Sequence, residues 1–355
     1  MGRTANLLVA AALATAGGAL ARLAGLPLAW LVGAALASAA YSLAVAPVGV
    51  PRPAYRLAQL VVGTSVGLTV SADVAGRIGW HAVVIVVGAF ISLGVGLVLS
   101  GPLARLGRVD RVTAHFAMVP AGISEMADLA GRHGADAAAV ATFHAMRVML
   151  VVFLLPPLIF ALNGAGALDV TRETGAWTAP LGLALATALV AGWGGARIGL
   201  PSAWFLGPMA AVALLSGAGI VAAAEPQVLV AAAQVGLGLS LGARLKRETI
   251  RRLPRAMAAG AALMLLHAAI MGALAVAVAL TAGAEPVTMV LGLATGGSAE
   301  MVLTARAVGA DAALVAAYQL TRGLAGNALA ERLHRAAPGP AGNQADNKDR
   351  CDDDH

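Results

Sequence analysis

Four ionisable residues interrupt stretches of this chain that are otherwise apolar. Glu125 falls within Pro120-Ala121-Gly122-Ile123-Ser124-Glu125-Met126, and Glu300 within Thr295-Gly296-Gly297-Ser298-Ala299-Glu300-Met301. Arg147 and Arg322 each lie about eleven residues inside a long apolar helix that Asp136 or Asp311 begins. At about 1.5 Å per residue this sets each guanidinium roughly 16 Å deep, near the centre of a bilayer. A charged group at that depth costs several kcal/mol unless it is paired or hydrated, and such groups ordinarily serve ion or solute pathways. Glycine beside each glutamate lets the backbone leave the helix, so that Gly122, Ser124, Gly297 and Ser298 can line a polar cavity with Glu125 and Glu300. The plainer reading is that the glutamates satisfy freed backbone amides at a wet interface.

The aspartate on its own helix is too far away to neutralise either arginine. This leaves Glu125, Glu300 or a bound anion, and the expectation is an arginine–glutamate pair across an internal interface. Asp136 and Asp311 follow Gly-Ala and precede long apolar runs, which suits helix N-capping worth about 1 kcal/mol; an ion-binding role is the sharper alternative. His144 lies one turn before Arg147, but its counterpart is Gln319, and the unequal pair favours polar packing over proton relay. Gln59 and Gln234 each lead a Gly-x3-Gly series, where their amides could join a site or the glycines could simply pack helices closely.

Soluble-enzyme chemistry lacks its residues. No His, Cys and Asp set has zinc or copper spacing, no phosphate loop or nucleophile elbow occurs, and Cys351 is the single cysteine. No catalytic residue, metal or cofactor is therefore assigned.

The elements that must position these groups are membrane helices. The chain is 59% hydrophobic and 12% charged, with mean hydropathy +0.82, outside the balance of a soluble domain. Apolar runs recur from Asn6 to Ala330, at about the 20 residues a bilayer crossing needs. A net charge of +6 does not imply direct nucleic-acid binding, because the cations are scattered over short connections between apolar runs. The partners expected are the lipid bilayer and a small solute or ion, with a homo-oligomer left open. Arg3 followed by Leu7 to Ala16 resembles a signal peptide, but many similar segments follow it and favour a membrane span.

Comparison of the chain with itself reveals two halves at a shift of 175 residues. Gly122, Glu125, Met126, Gly134, Asp136 and Arg147 recur as Gly297, Glu300, Met301, Gly309, Asp311 and Arg322, and twelve of the 26 positions from Gly122 to Arg147 are identical. Alanine richness cannot explain the Glu, Asp and Arg matches. Gln59, Gly63 and Gly67 match Gln234, Gly238 and Gly242; Pro27, Trp30 and Gly33 match Pro201, Trp204 and Gly207 after one deletion. The expected organisation is a first membrane repeat over 1–163, a linker over 164–177, a second repeat over 178–337 and a disordered tail over 338–355.

Six elements fit in each half, and loop charge decides their orientation. If all twelve crossed, the basic connections at Arg105, Arg108 and Arg111 and at Arg244 to Arg255 would lie on opposite sides. The fifth element of each half, broken by Gly122 or Gly297, is the one expected not to cross. The fold expected is thus all-α and polytopic, with two inverted repeats, about ten crossings and two interrupted or re-entrant segments. Arg22, Arg77 and Arg306 are the exceptions to the charge rule, and twelve simple crossings with parallel repeats is the alternative.

The duplicated Gly-x-x-Glu-Met segment, followed by Gly-Ala-Asp and a deep arginine, resembles the AbrB family of duplicated bacterial membrane proteins over about residues 10 to 330. Its members carry two discordant labels, regulator of gene expression and ammonia monooxygenase. The family is also similar to the cation/proton antiporter and anion transporter superfamily, whose inverted halves have interrupted helices. Nothing here resembles the small soluble DNA-binding regulator of the same name. The resemblance implies a multi-pass protein of the bacterial cytoplasmic membrane, and loop charge puts both termini on the cytoplasmic side. The reading that joins residues and resemblance is a secondary transporter for a small solute or ion, open to proton coupling. A membrane-embedded regulator acting indirectly is the alternative; the monooxygenase label finds no metal-binding residues to support it.

Overall fold

The computed structural model describes residues 3–69, 74–163, 175–200 and 202–336, and no strand occurs among them. Asp73, residues 164–174 of the expected linker, Pro201 and the tail at 338–355 lie outside the described residues. The first half contains α1 (Arg3–Leu23), α2 (Ala29–Ala44), α3 (Arg52–Gly67), α4 (Val74–Gly107), α5 (Arg111–Met118), α6 (Ile123–Arg132) and α7 (Ala137–Asn163). The second contains α8 (Ala179–Arg197), α9 (Ala203–Gly217), α10 (Gln227–Gly242), α11 (Arg247–Arg252), α12 (Pro254–Ala282), α13 (Pro286–Leu293), α14 (Ser298–Ala307) and α15 (Ala312–Ala336). Only the short basic α11 has no counterpart in the first half.

Among the described residues, six helical stretches are long and apolar enough to cross a membrane: Thr4–Leu23, His81–Gly107, Ala137–Ala161, Ala179–Arg197, Gln227–Arg252 and Pro254–Ala282. Large apolar side chains such as Leu8, Val83, Val98, Leu214 and Leu280 stand on the outside, a surface suited to lipid rather than water. The apolar α2 and α9 are shorter, at 16 and 15 residues. Each starts from a left-handed residue, Leu28 (φ 51°) or Ser202 (φ 48°), at the same place in its half. A non-glycine residue rarely adopts this conformation, so its recurrence marks a shared local design.

The halves are interlocked. Gly63 and Gly67 of α3 lie against the backbone of Phe205 and Met209 in α9, and their counterparts Gly238 and Gly242 of α10 lie against Leu31 and Ala35 in α2. A methyl group at any of these four positions would meet main-chain atoms of the facing helix. Close backbone approach therefore accounts for both Gly-x3-Gly series.

Equivalent helices from the two halves also meet, and they run antiparallel. Gly107 at the end of α4 packs on Ala256 at the start of α12, and Arg255 Nε donates to the Leu106 carbonyl at 2.7 Å. Further along the same pair, Ser92 contacts His267. Likewise the start of α3 meets the end of α10, where the Arg244 guanidinium stands 5.3 Å from the Tyr55 ring centroid. The basic connections after α4 and after α10 consequently lie together at one end of the molecule.

The fifth and eleventh sequence elements are each two helices that double back. The Asp136 N–H donates to Thr113 Oγ1 at 3.0 Å, and the Asp311 N–H donates to Thr288 Oγ1 at 3.0 Å. After α6 and after α14, then, the chain has returned to the first turn of α5 and of α13. These two hairpins turn at Val119–Gly122 and Ala294–Gly297.

Candidate functional site

At each hairpin tip, glycine serves as the residue before a helix. Gly122 (φ −64°, ψ 135°) and Gly297 (φ −75°, ψ 144°) have backbone angles open to any residue, so here the sequence expectation of special backbone freedom is corrected. What glycine provides is space. A side chain at Gly122 would collide with the carboxylate of Glu125, and one at Gly297 with that of Glu300. Each glutamate is the third residue of its helix and folds back over the helix start, where unpaired N–H groups and the positive end of the helix dipole favour negative charge. The arrangement resembles a capping box with glycine in place of Ser or Thr.

Both tips line one cavity of about 630 Å³, together with Gln59, Ser124, Arg147, Ser298 and Arg322. The first tip is docked on α15, with the Gly122 N–H donating to Asn327 Oδ1 at 3.2 Å; the second lies beside Val148 of α7. Arg52 and Arg56 from the first turns of α3, and Arg244 just after α10, also line the cavity, which therefore reaches the basic end. Ser124 and Glu125 are exposed, whereas Glu300 is only 7% exposed.

Arg147 and Arg322 are buried, with exposures of 3% and 6%. The Phe116 carbonyl accepts a hydrogen bond from His144 Nε2 at 2.8 Å, which leaves Nδ1 to accept from Arg147 Nη2 at 2.7 Å. In the other half Gln319 Nε2 donates to the equivalent Leu291 carbonyl at 2.9 Å, and its Oε1 accepts from Arg322 Nη2. His144 and Gln319 thus do the same work, holding a guanidinium and tying the hairpin to the next helix. Arg322 Nη2 also donates to the Gly296 carbonyl at 3.0 Å.

The expected arginine–glutamate pairs do not form. Among the described residues, ion pairs join Arg132 to Asp128, His133 to Glu331, Arg252 to Asp136, Arg306 to Glu225 and Arg335 to Glu331. None involves Arg147, Arg322, Glu125 or Glu300. The physical reason is geometric: the glutamates turn back onto their own helix starts, while the arginines reach main-chain carbonyls and the His144 or Gln319 side chain. The Nε atoms of both arginines are left buried without a hydrogen-bond partner.

Asp136 and Asp311 stand at the hairpin bases, outside the cavity lining. Asp136 Oδ1 accepts from the Ala139 N–H at 2.9 Å and Asp311 Oδ1 from the Leu314 N–H at 3.0 Å, so both cap helices. Gln234 is also outside the lining, although Gln59 is in it. The pairing of Arg306 with Glu225 accounts for one exception to the loop-charge pattern.

The sequence matches, over residues 30–337, the family described as "Transition state regulatory protein AbrB". The chain belongs to the AbrB family. Similar proteins within reach of this AbrB-family chain include "Uncharacterized protein YhjN" of Bacillus subtilis (strain 168), 27% identical, with 95% of this chain and 94% of that one covered. "Putative regulator AbrB" of Escherichia coli (strain K12) is 25% identical, with 88% and 92% covered. No solved structure matches.

Several lining residues of this AbrB-family cavity escaped sequence reasoning. Arg52, Arg56 and Arg244 were legible only as loop charges, yet they line the cavity, with Arg56 lying 5.5 Å from the Trp204 ring centroid. Tyr55 and Asn327 lie one turn from Gln59 and beyond Arg322 respectively, a spacing that was available. Ser240, whose hydroxyl is buried without a partner, is matched by Ser65 at the same 175-residue shift, a signal that went unused.

Proposed function

We propose that the protein is a secondary transporter of the cytoplasmic membrane that carries a small solute through the cavity between its two hairpins. The observation that carries this reading is that two interrupted hairpin tips, one from each half, line one cavity bearing ionisable groups. Inverted repeats with broken helices at their shared site are the architecture of many secondary transporters. The antiparallel course of α4 with α12 and of α3 with α10 supports inverted repeats, since equivalent helices then run in opposite directions. On this reading α1 to α4 and α7, with their counterparts, make ten crossings, and the two hairpins enter from opposite faces without crossing. With the basic connections on the cytoplasmic side, the cavity faces the cytoplasm, and both termini lie there too. Glu125 and Glu300 are the groups suited to coupling a proton to solute movement.

Reconstitution into proteoliposomes tests the proposal, with uptake measured for a panel of labelled organic acids, amines and inorganic cations. Saturable uptake of one class is the expected result. A folded protein that binds a panel member yet moves none would favour instead a membrane-embedded sensor, the second reading, which the printed name of the Escherichia coli relative supports.

A further inference from the structure

We infer that the cavity binds a small organic carboxylate, held by the paired guanidinium groups of Arg147 and Arg322. This names the substrate class of the proposed transporter and so rests on that reading for its physiological meaning, although binding itself does not require transport.

Charge balance is the first ground. Five arginines line the cavity, Arg52, Arg56, Arg147, Arg244 and Arg322, against the two carboxylates of Glu125 and Glu300. Both carboxylates are turned onto the positive starts of their own helices, which offset part of their charge. No cavity arginine has a carboxylate partner among the described residues. Arg147 and Arg322 are both buried and line the same cavity. Two buried like charges without a counter-ion are costly, and an anion between them removes that cost.

Unused hydrogen-bonding capacity is the second ground. The Nε atoms of both arginines and the hydroxyl of Ser240 are buried without partners, and all three residues line the cavity. A guanidinium presents a planar fork of donors that matches the two oxygens of a carboxylate.

The walls supply the third ground. Val48, Val50, Leu200, Phe205, Leu237 and Leu241 face the same space, and about 630 Å³ is the size of an ordinary small-molecule site. Bare inorganic phosphate would leave these apolar walls unused, whereas the carbon skeleton of an organic acid would cover them.

The test uses the purified full chain in detergent, with calorimetric titration and thermal stability measured against acetate, succinate, citrate, benzoate, inorganic phosphate and methylammonium. At least one organic carboxylate should bind saturably and raise the melting temperature. Arg147→Gln and Arg322→Gln should each weaken that binding by about tenfold or more, and Arg322→Lys should lie between. Should the arginine variants not fold, Ser240→Ala, which removes only an unpartnered hydroxyl, should still weaken binding severalfold. Absence of carboxylate binding, binding of phosphate alone, competition by methylammonium, or unchanged affinity in the folded variants overturns the inference. Uptake in proteoliposomes then separates the two claims. A carboxylate bound but not carried leaves the anion site standing and removes the transporter; uptake of an amine without carboxylate binding does the reverse.

Discussion

Ser92 of α4 and His267 of α12 hold the same place in the two halves, and they touch, with Ser92 Oγ 3.4 Å from His267 Nε2. Contact between counterparts is what a local two-fold axis between the halves would produce. Arg147 and Arg322, also counterparts, share one cavity. In a chain with Cys351 replaced by serine, the pair Ser92→Cys and His267→Cys should cross-link in membranes under mild oxidation, detected as a mobility shift on gels. Ser92→Cys with a cysteine at Leu280 instead should not. Equal cross-linking of both pairs would show that the contact is not specific.

The same packing sets two basic connections at one end of the molecule. Arg255 reaches the Leu106 carbonyl and Arg252 pairs with Asp136, so the connections around Arg108 and Arg251 lie together. Arg108→Cys and Arg251→Cys, in the same cysteine-free background, should both react with a membrane-impermeant maleimide only from the cytoplasmic side. Reaction from opposite sides would remove the inverted-repeat arrangement.

A double-mutant cycle distinguishes the observed arginine partners from the expected ones. Because Arg147 and Glu125 do not pair, the stability losses of Arg147→Gln and Glu125→Gln should add to within about 0.5 kcal/mol, and the same should hold for Arg322→Gln with Glu300→Gln. Arg322→Gln with Gln319→Ala should be non-additive, since Gln319 Oε1 accepts directly from Arg322. Thermal unfolding in detergent measures all three cycles. Strong rescue of an arginine loss by its glutamate change, of the roughly 3 to 5 kcal/mol scale of a broken buried pair, would restore the ion pair.

Repetition made much of the architecture legible. The 175-residue shift places Thr113 with Thr288 and Asp136 with Asp311, and these are the residues whose hydrogen bonds close the hairpins. The Gly-x-x-Glu spacing was visible too, but its meaning was not. The leading reading was a backbone break exposing a carboxylate to an arginine; the plainer one, a carboxylate meeting freed backbone amides, is nearer to the glycine making room for the carboxylate to return to its own helix start. Direction of a side chain within a turn depends on rotamers that sequence spacing leaves open. Arg52, Arg56 and Arg244 were hidden for another reason: a cation in a short connection reads as a topology signal, and only the antiparallel meeting of α3 with α10 brings it to the cavity.

The two hairpin tips are not in the same state, and this asymmetry is the last prediction. Ser124 and Glu125 of the first tip are exposed to the cavity, while Ser298 of the second is partly covered and Glu300 is buried. If the halves are inverted and exchange conformations during a transport cycle, the second tip becomes the open one when the cavity faces the other side. Ser124→Cys should therefore react with an impermeant thiol reagent from the cytoplasmic side, and Ser298→Cys from the opposite side in the fraction of molecules that has exchanged. A carried solute biases the populations only if it binds the two states with different affinity. Adding it should then change the ratio of the two labelling rates, by about tenfold for an affinity difference of roughly 1.4 kcal/mol. Rates measured in oriented vesicles with and without solute decide the matter. Labelling of both positions from the cytoplasmic side alone, at a ratio that solute leaves unchanged, would mean that the asymmetry is fixed and that the cavity binds without alternating.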